Sequence, residues 1–286
     1  MRILITNDDG ITAPGLKAAE DIALAVAGPK GEVWVVAPES EMSGVAHCIS
    51  YTKPMRLNPL GPRRFAVDGT PADCVIVALK HLMKDRLPDL VLSGVNRGHN
   101  VAEDVVYSGT VGGALESALH GVRAIALSQA YGPEIVAADD MFEAARRSGP
   151  EAVRRVLDLP WDDGAAYGLF YNVNFPPVPG DRVRGIRMAP QGRRPEGAFR
   201  VQENVAPNGR TYFWLAHGRG NTESAEGTDA REIGHGWVTV TPLRADLTAG
   251  DMMATAEAAL GSRALGAAEE PGPEPVVDAV ATRSGT

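Results

Sequence analysis

The chain has 286 residues, a hydrophobic content of 44% and a formal net charge of -8. A chain of this length can bury a sizeable core as one large domain or two small ones. Its acidic balance, with a pI near 5.3, argues against a nucleic-acid polymer as partner, because such binding requires a basic face that displaces counterions. No run reaches the roughly 20 apolar residues that span a bilayer, so we expect no membrane partner.

Two further features bear on location. The two cysteines, Cys48 and Cys74, form neither a disulfide framework nor a metal-finger pattern. The sequence begins with a strand-like run rather than a charged leader and an apolar segment. We therefore expect a cytoplasmic protein.

Strand-like and helix-like segments alternate through the first 130 residues. Short apolar runs predict strands, and apolar residues at helical spacing predict helices. The predicted strands are residues 3–6, 32–37, 87–93 and 122–128, and the predicted helices are residues 16–27, 72–82 and 111–120. Strands that alternate with long helices are typical of βαβ units. We therefore predict an α/β fold with a Rossmann-like, doubly wound, mostly parallel sheet.

The pattern changes after residue 130. A predicted helix at about residues 137–157 precedes a Pro-rich break, and β-like stretches near residues 185–188, 211–216 and 237–242 indicate hairpins. The last segment is rich in Pro, Gly, Ala and Glu, a composition typical of disorder. We thus expect a metal- and phosphate-binding core at residues 1–130, a C-terminal part at 131–260 that completes it with projecting β-hairpin extensions for oligomerisation, and a disordered tail at 261–286.

Two adjacent acids, Asp8 and Asp9, follow the first predicted strand and precede Gly10. Ligands of α/β sheets bind outside the carboxyl ends of the strands, where the strand-to-helix loops open. Because Gly10 permits a turn, both carboxylates can point towards one place, where a divalent cation would relieve their repulsion. An isolated Asp-Asp-Gly is more often a solvated turn, so this interpretation depends on the segments that follow.

Two other segments offer oxygen ligands. Ser43 precedes a glycine, and Asn96 lies within residues 94–98, at the exit of the third predicted strand. With Asp8 and Asp9 they make an all-oxygen set without His or Cys, which suits Mg²⁺, Mn²⁺ or Ca²⁺. Each segment alone is typical of a turn or a strand exit, whereas their combination favours one metal site.

A fourth segment, Ser108, Gly109 and Thr110, precedes the helix predicted at residues 111–120. Ser108 or Thr110 can cap that helix, and the amide groups of its first turn can point at an anion such as phosphate. An N-cap without any ligand is the alternative. The coincidence of four such segments favours a phosphate site beside the metal.

These segments resemble the SurE family of stationary-phase survival proteins, which are metal-dependent 5'-nucleotidases. The resemblance covers about residues 1 to 250. Its specific part comprises residues 1–10, 35–38, 69–74, 93–98 and 107–112, and a looser part comprises residues 172–174, 185–187, 227–229, 240–243 and 246–248.

The resemblance implies a phosphoric monoester hydrolase that converts nucleoside 5'-monophosphates to nucleoside and phosphate. It also implies one divalent cation per subunit, Mg²⁺ or Mn²⁺, and a homodimer or homotetramer whose subunits exchange C-terminal segments. By position, its metal ligands fall on Asp8, Asp9, Ser43 and Asn96, with Asp8 and Asp9 as catalytic acids, and its phosphate contacts on Asn96, Ser108, Gly109 and Thr110.

The chain departs from the family pattern at two places. Residues 39–44 read Glu-Ser-Glu-Met-Ser-Gly, where many members have basic residues before the ligand serine. Gly250 stands where some members carry a His, four residues after the position of Asp246. The sequence therefore identifies no general acid or base of that kind.

Several alternatives stay open at this stage. The chain could be a nucleotide-binding regulator without turnover, or a phosphatase for another phosphomonoester or for polyphosphate. Asp8 could also act as a nucleophile through an aspartyl-phosphate, although the usual Asp-x-Asp spacing is absent. A dinucleotide-dependent oxidoreductase is disfavoured, since the acid pair occupies the place of a Gly-x-Gly-x-x-Gly loop.

Overall fold

The structure is a computed structural model that describes residues 1–195, 199–217 and 224–260. Its centre is a nine-stranded sheet. In chain order, the strands of this sheet are β1 (Arg2–Thr6), β2 (Glu32–Pro38), β3 (Leu57–Gly61), β4 (Arg64–Val67), β5 (Leu90–Arg97), β6 (Ala124–Gln129), β7 (Phe170–Phe175), β8 (Gly185–Met188) and β11 (Trp237–Leu243). Strands β9 (Phe199–Val205) and β10 (Thr211–His217) form a separate antiparallel hairpin.

The sheet has the order β3-β4-β2-β1-β5-β6-β7-β11-β8. Six consecutive strands, from β4 to β7 in this order, are parallel. Strand β3 runs antiparallel to β4, and β11 runs antiparallel to β7 and parallel to β8. The sheet is therefore mixed but mostly parallel, as predicted.

The helices cover both faces of the sheet. They are α1 (Pro14–Ala27), α2 (Pro71–Val77, continued by a π-helical turn at Ala78–Leu82), α3 (Gly109–Leu119), α4 (Pro133–Val136), α5 (Glu143–Leu157), α6 (Asp229–Gly234) and α7 (Gly250–Leu260). Side chains of β1 alternate between the faces, so Ile3 and Ile5 pack with α1 and α5, whereas Leu4 packs with α2 and α3. Burial on both faces explains why the central strands are almost continuously apolar.

The topology creates a crevice between β1 and β5. These strands are neighbours, yet the chain leaves β1 for α1 on one face and leaves β5 for α3 on the opposite face. Such a switch point, at the carboxyl ends of the strands, is where α/β sheets bind their ligands. The residues that follow β1 and end β5 therefore meet at one crevice.

Several predicted elements differ from the observed ones. The stretches near residues 185–188 and 237–242 are not hairpins, because β8 and β11 pair in the main sheet. The helix predicted at residues 137–157 begins only at Glu143, and the hairpin of β3 and β4 was not predicted. Prolines within and beside β3 argue against a strand in the sequence, since Pro is depleted in strands.

Residues Met1–Asp246 form one compact unit, and Leu247–Thr286 form a second. Within the second unit the described part contains α7. The tail predicted at residues 261–286 lies outside the described residues. Among the described helices, none combines the length and the apolar character needed to cross a membrane.

Candidate active site

Asp8 lies at the centre of the crevice, directly after β1. Its side chain is only 3% exposed. The backbone N–H of Thr110 donates to Oδ2 at 2.9 Å, and the Thr110 hydroxyl donates to Oδ1 at 2.5 Å. The carboxylate thus sits at the N-terminus of α3, where the helix dipole favours a negative charge.

Asp9 connects the acid pair to β5. The backbone N–H of Arg97 donates to Asp9 Oδ2 at 3.0 Å. Asn96 is the neighbouring residue, and the pairing of β5 with β6 shifts register between Ser93 and Asn96. The side-chain nitrogen of Asn96 donates to the carbonyl of Gly98 at 2.9 Å. The side-chain oxygen of Asn96 is therefore the atom that can bind a ligand.

The pKa values of both acids are raised. Burial raises the pKa of Asp8 to about 6, the hydrogen bond from Thr110 opposes this effect, and the charge of Asp9 adds to it. Burial also raises the pKa of Asp9, against the hydrogen bond from Arg97 and with the negative charge of Glu41. No basic side chain of the described residues forms an ion pair with Asp8.

Ser43 lies on an exposed loop that is fastened at three points. The Met42 N–H donates to the carbonyl of Asp8 at 2.6 Å, and the Ala46 N–H donates to the carbonyl of Tyr107 at 2.9 Å. At the end of the loop, His47 Nε2 lies 2.5 Å from a carboxylate oxygen of Glu116 in α3. These contacts hold the loop against both Asp8 and α3.

The Ser43 hydroxyl donates to Glu41 Oε1 at 2.9 Å. Because its proton faces Glu41, its lone pairs are directed elsewhere and can serve a cation. Glu41 therefore has two links to the site, one to Ser43 and one through its charge to Asp9. In the sequence, residues 39–44 differ from the family pattern only in their lack of basic residues.

The first residues of α3 approach the acids closely. Ser108 is the N-cap, and its hydroxyl accepts a hydrogen bond from the Val111 N–H at 3.1 Å. A Cβ on Gly109 would lie 2.9 Å from the Cβ of Asp8 and 3.2 Å from the carbonyl oxygen of Met42. Only a residue without a side chain lets α3 contact both segments.

The structure thus joins the predicted site residues to one another. Thr110 contacts Asp8, the segment of Asn96 contacts Asp9, and the Ser43 loop contacts the backbone of Asp8. Two contacts were not predicted from the sequence: the hydrogen bond from the backbone N–H of Arg97 to Asp9, and the contact between His47 and Glu116. The former has no side-chain signature, and the latter depends on contacts across the fold.

The donor set is suited to a hard divalent cation. Four oxygen-bearing side chains, those of Asp8, Asp9, Ser43 and Asn96, come from three loops around the crevice, and none of them is a soft ligand. Burial is the main cause of the raised pKa values of both acids, and the charge of Asp9 raises the pKa of Asp8 further. A cation at this position would relieve the repulsion between them.

Residues 3–197 match the family described as "Survival protein SurE". The chain is 57% identical over 261 residues to a Cereibacter sphaeroides protein named 5'-nucleotidase SurE, a match that covers 91% of this chain and 100% of the relative. A Ruegeria pomeroyi protein of the same name is 54% identical over 260 residues and is also covered completely.

A solved structure agrees in fold. The crystal structure of the SurE protein from Aquifex aeolicus is 34% identical, with a TM-score of 0.76, and the match covers 91% of this chain and 100% of that one. The resemblance seen in the motifs is confirmed, and the chain belongs to the SurE family.

Proposed function

We propose that the chain is a metal-dependent 5'-nucleotidase that hydrolyses nucleoside 5'-monophosphates to nucleoside and phosphate. The observation that carries this proposal is the acid pair of buried Asp8 and half-buried Asp9, held at the switch point of the sheet beside the N-terminus of α3. The name shared by its relatives supports phosphomonoester hydrolysis as the general reaction.

In the proposed mechanism, the side chains of Asp8, Asp9, Ser43 and Asn96 would hold one Mg²⁺ or Mn²⁺ ion. When bound, the ion supplies positive charge for the phosphoryl oxygens and lowers the pKa of a water molecule. Ionised Asp8 accepts a proton from the attacking water, and Thr110 keeps the carboxylate in one orientation through two hydrogen bonds.

The phosphate is placed at the start of α3, next to Ser108, Gly109 and Thr110. The dipole of a helix N-terminus favours an anion at this position, while the N–H groups of Thr110 and Val111 already donate to Asp8 and to Ser108. The Thr110 hydroxyl is engaged by Asp8, so its first role in this proposal is to position that acid. Asn96 contributes from the β5 side of the crevice.

The first prediction concerns the cation. Chelation with EDTA should abolish phosphate release from AMP. Asp9→Asn should lower kcat/KM at least roughly 100-fold, because loss of a metal ligand should reduce activity more than loss of a residue that only supports a ligand. A colorimetric phosphate assay with and without Mn²⁺ measures both. A circular dichroism spectrum controls for folding, and undiminished turnover in excess EDTA contradicts the assignment.

The second prediction concerns Thr110. Thr110→Val removes the hydroxyl that donates to Asp8, so kcat/KM should fall by roughly 10- to 100-fold, the value of a hydrogen bond to a charged group. The acid limb of the pH profile should shift to higher pH, because that hydrogen bond lowers the pKa of Asp8.

Thr110→Ser is the matched control, because it retains the hydroxyl and should keep both the rate and the pH profile near those of the wild type. If Thr110→Val left the acid limb in place, the bond to Asp8 would have no part in the reaction.

The third prediction concerns stability. Because the folded pKa of Asp8, about 6, exceeds its ordinary value of 3.8, the folded state retains a proton that the unfolded chain releases. This stabilising contribution is fully present below about pH 3.8 and is lost as the pH rises through 6, which lowers the free energy of unfolding by up to about 3 kcal/mol. Asp8→Asn removes this dependence.

Urea denaturation in EDTA, between about pH 4 and about pH 7.5, tests this dependence. The free energy of unfolding of the wild type should fall relative to that of Asp8→Asn as the pH rises across that range. Addition of Mn²⁺ should restore the stability of the wild type at the highest pH only. Identical pH dependence of the two proteins would contradict the role of Asp8.

We also propose that the protein is a homo-oligomer that associates through the hairpin of β9 and β10. In this hairpin, residues two apart lie on the same face. One face carries five exposed apolar side chains, those of Phe199, Val201, Val205, Phe213 and Leu215. A two-stranded hairpin with an exposed apolar face needs a partner surface to be stable, and a second copy provides one by symmetry.

The open end of the hairpin lies next to the start of α3, where the phosphate is proposed to bind. The ring of Phe199 packs edge-on against that of Tyr107, with 5.3 Å between the centroids. Tyr107 precedes the N-cap Ser108. An association through the hairpin would therefore take place close to the proposed reaction centre.

The fourth prediction tests this association. Light scattering should give a multiple of the 30.2 kDa chain mass, and Leu215→Asp should weaken association at least about 100-fold, because it buries an unpaired charge. Asn204→Asp, which places the same charge on the opposite face, is the control. Deletion from Glu269 onward should leave assembly intact. A wild-type monomer, or dissociation on loss of the tail alone, would contradict the proposal.

A further inference from the structure

A cavity of about 340 Å³ lies at the carboxyl edge of the parallel strands, the edge at which the acid pair also lies. Its sheet side is formed by residues that follow three adjacent strands: His99 after β5, Tyr131 after β6 and Pro177 after β7. Helix α6 closes the other side with Ile233 and the adjacent His235. No role in the proposed reaction has yet been given to this cavity.

One glycine, Gly98, lies between the segment that binds Asp9 and Tyr131, a residue of the cavity wall. The backbone N–H of Arg97 binds Asp9, and Gly98 is the next residue. A Cβ on Gly98 would lie 3.4 Å from Cε1 of Tyr131 and 3.7 Å from the side-chain nitrogen of Asn96. Because Gly98 has no side chain, none fills the space between this segment and the ring of Tyr131.

The walls of the cavity suit a flat aromatic group. Tyr131 is 49% exposed, and Pro177 and Ile233 add apolar surface around its ring. Pockets of this size with apolar walls and a few polar groups are typical of small-molecule sites. The lining also includes His99, Arg231 and His235. Arg231 forms an ion pair with Glu226 at 2.8 Å.

His99 offers a defined polar group at this site. A guanidinium nitrogen of Arg194 lies 3.3 Å from His99 Nε2. A carboxylate oxygen of Asp104 lies 3.7 Å from the same Nε2 atom. The imidazole of His99 is therefore positioned by two neighbouring charged groups, and its ring is the polar group that a base in the cavity would meet.

We infer that this cavity binds the base of the nucleotide, with Tyr131 as the stacking surface. This inference rests on the proposed function and identifies which part of the substrate lies where: the phosphate at α3, the ribose across Gly98 and the base against Tyr131. Stacking on an aromatic ring tolerates every base, because each base has a π-face. Tyr131 then selects nucleotides over phosphomonoesters that lack a base.

The test compares AMP with ribose 5-phosphate, which has the same sugar and phosphate but no base. Tyr131→Ala should raise the ratio of KM for AMP to KM for ribose 5-phosphate by roughly 5- to 100-fold, and Tyr131→Phe should restore it. Tyr167→Ala, at a tyrosine of similar exposure that precedes β7 at the opposite edge of the sheet, should leave it unchanged. An equal rise in both KM values, or no rise for AMP, overturns the inference.

A second measurement separates this inference from the proposed reaction. Adenosine has no phosphate, so its binding can be titrated calorimetrically without cation or turnover. It should bind the wild type and Asp9→Asn alike and bind Tyr131→Ala at least roughly 5-fold more weakly. If no phosphomonoester is hydrolysed, the proposed function fails while this titration still decides the cavity, and absence of adenosine binding by the wild type refutes the base site.

Discussion

The adjacency of β1 and β5, whose chains leave the sheet towards opposite faces, is the constraint on which the rest of the structure depends. It leaves a crevice that no helix can fill, and the segments after both strands must meet there. Asp8 and Asp9 enter from β1, and Arg97 contributes its backbone N–H from β5. Helix α3 then brings its N-terminus to Asp8, because Gly109 has no side chain to prevent the approach.

This arrangement is energetically unfavourable at the two acids. Asp8 is buried, has no ion pair among the described residues and has a raised pKa, a combination that a structural core position would not favour. The supporting contacts do not neutralise it: Thr110 donates neutral hydrogen bonds, and Glu41 adds negative charge near Asp9. Departures from local stability of this kind are expected where function rather than folding selects the residue.

Much of the fold, and the loops on which the candidate site residues lie, could be predicted from the sequence, and the exceptions have physical causes. Apolar runs identify β1 and β2 because both faces of those strands are buried, and the acid pair is recognisable by residue type. The sheet position of β8 and β11 could not be predicted, since strand pairing depends on distant segments. The Arg97 amide and the cavity beside Tyr131 depend on tertiary placement, which leaves no local pattern.

The two hydrogen bonds between Thr110 and Asp8 also bear on the order of folding. They join residues 102 positions apart, and the Ser43 loop reaches the same acid from yet another segment. Contacts of such long range carry a loop-closure cost, and the partners in β1 and β5 are almost as far apart in the chain, so we expect the crevice to form together with the pairing of these strands rather than before it. A cation with affinity for the completed crevice alone would stabilise the finished fold without guiding its early steps.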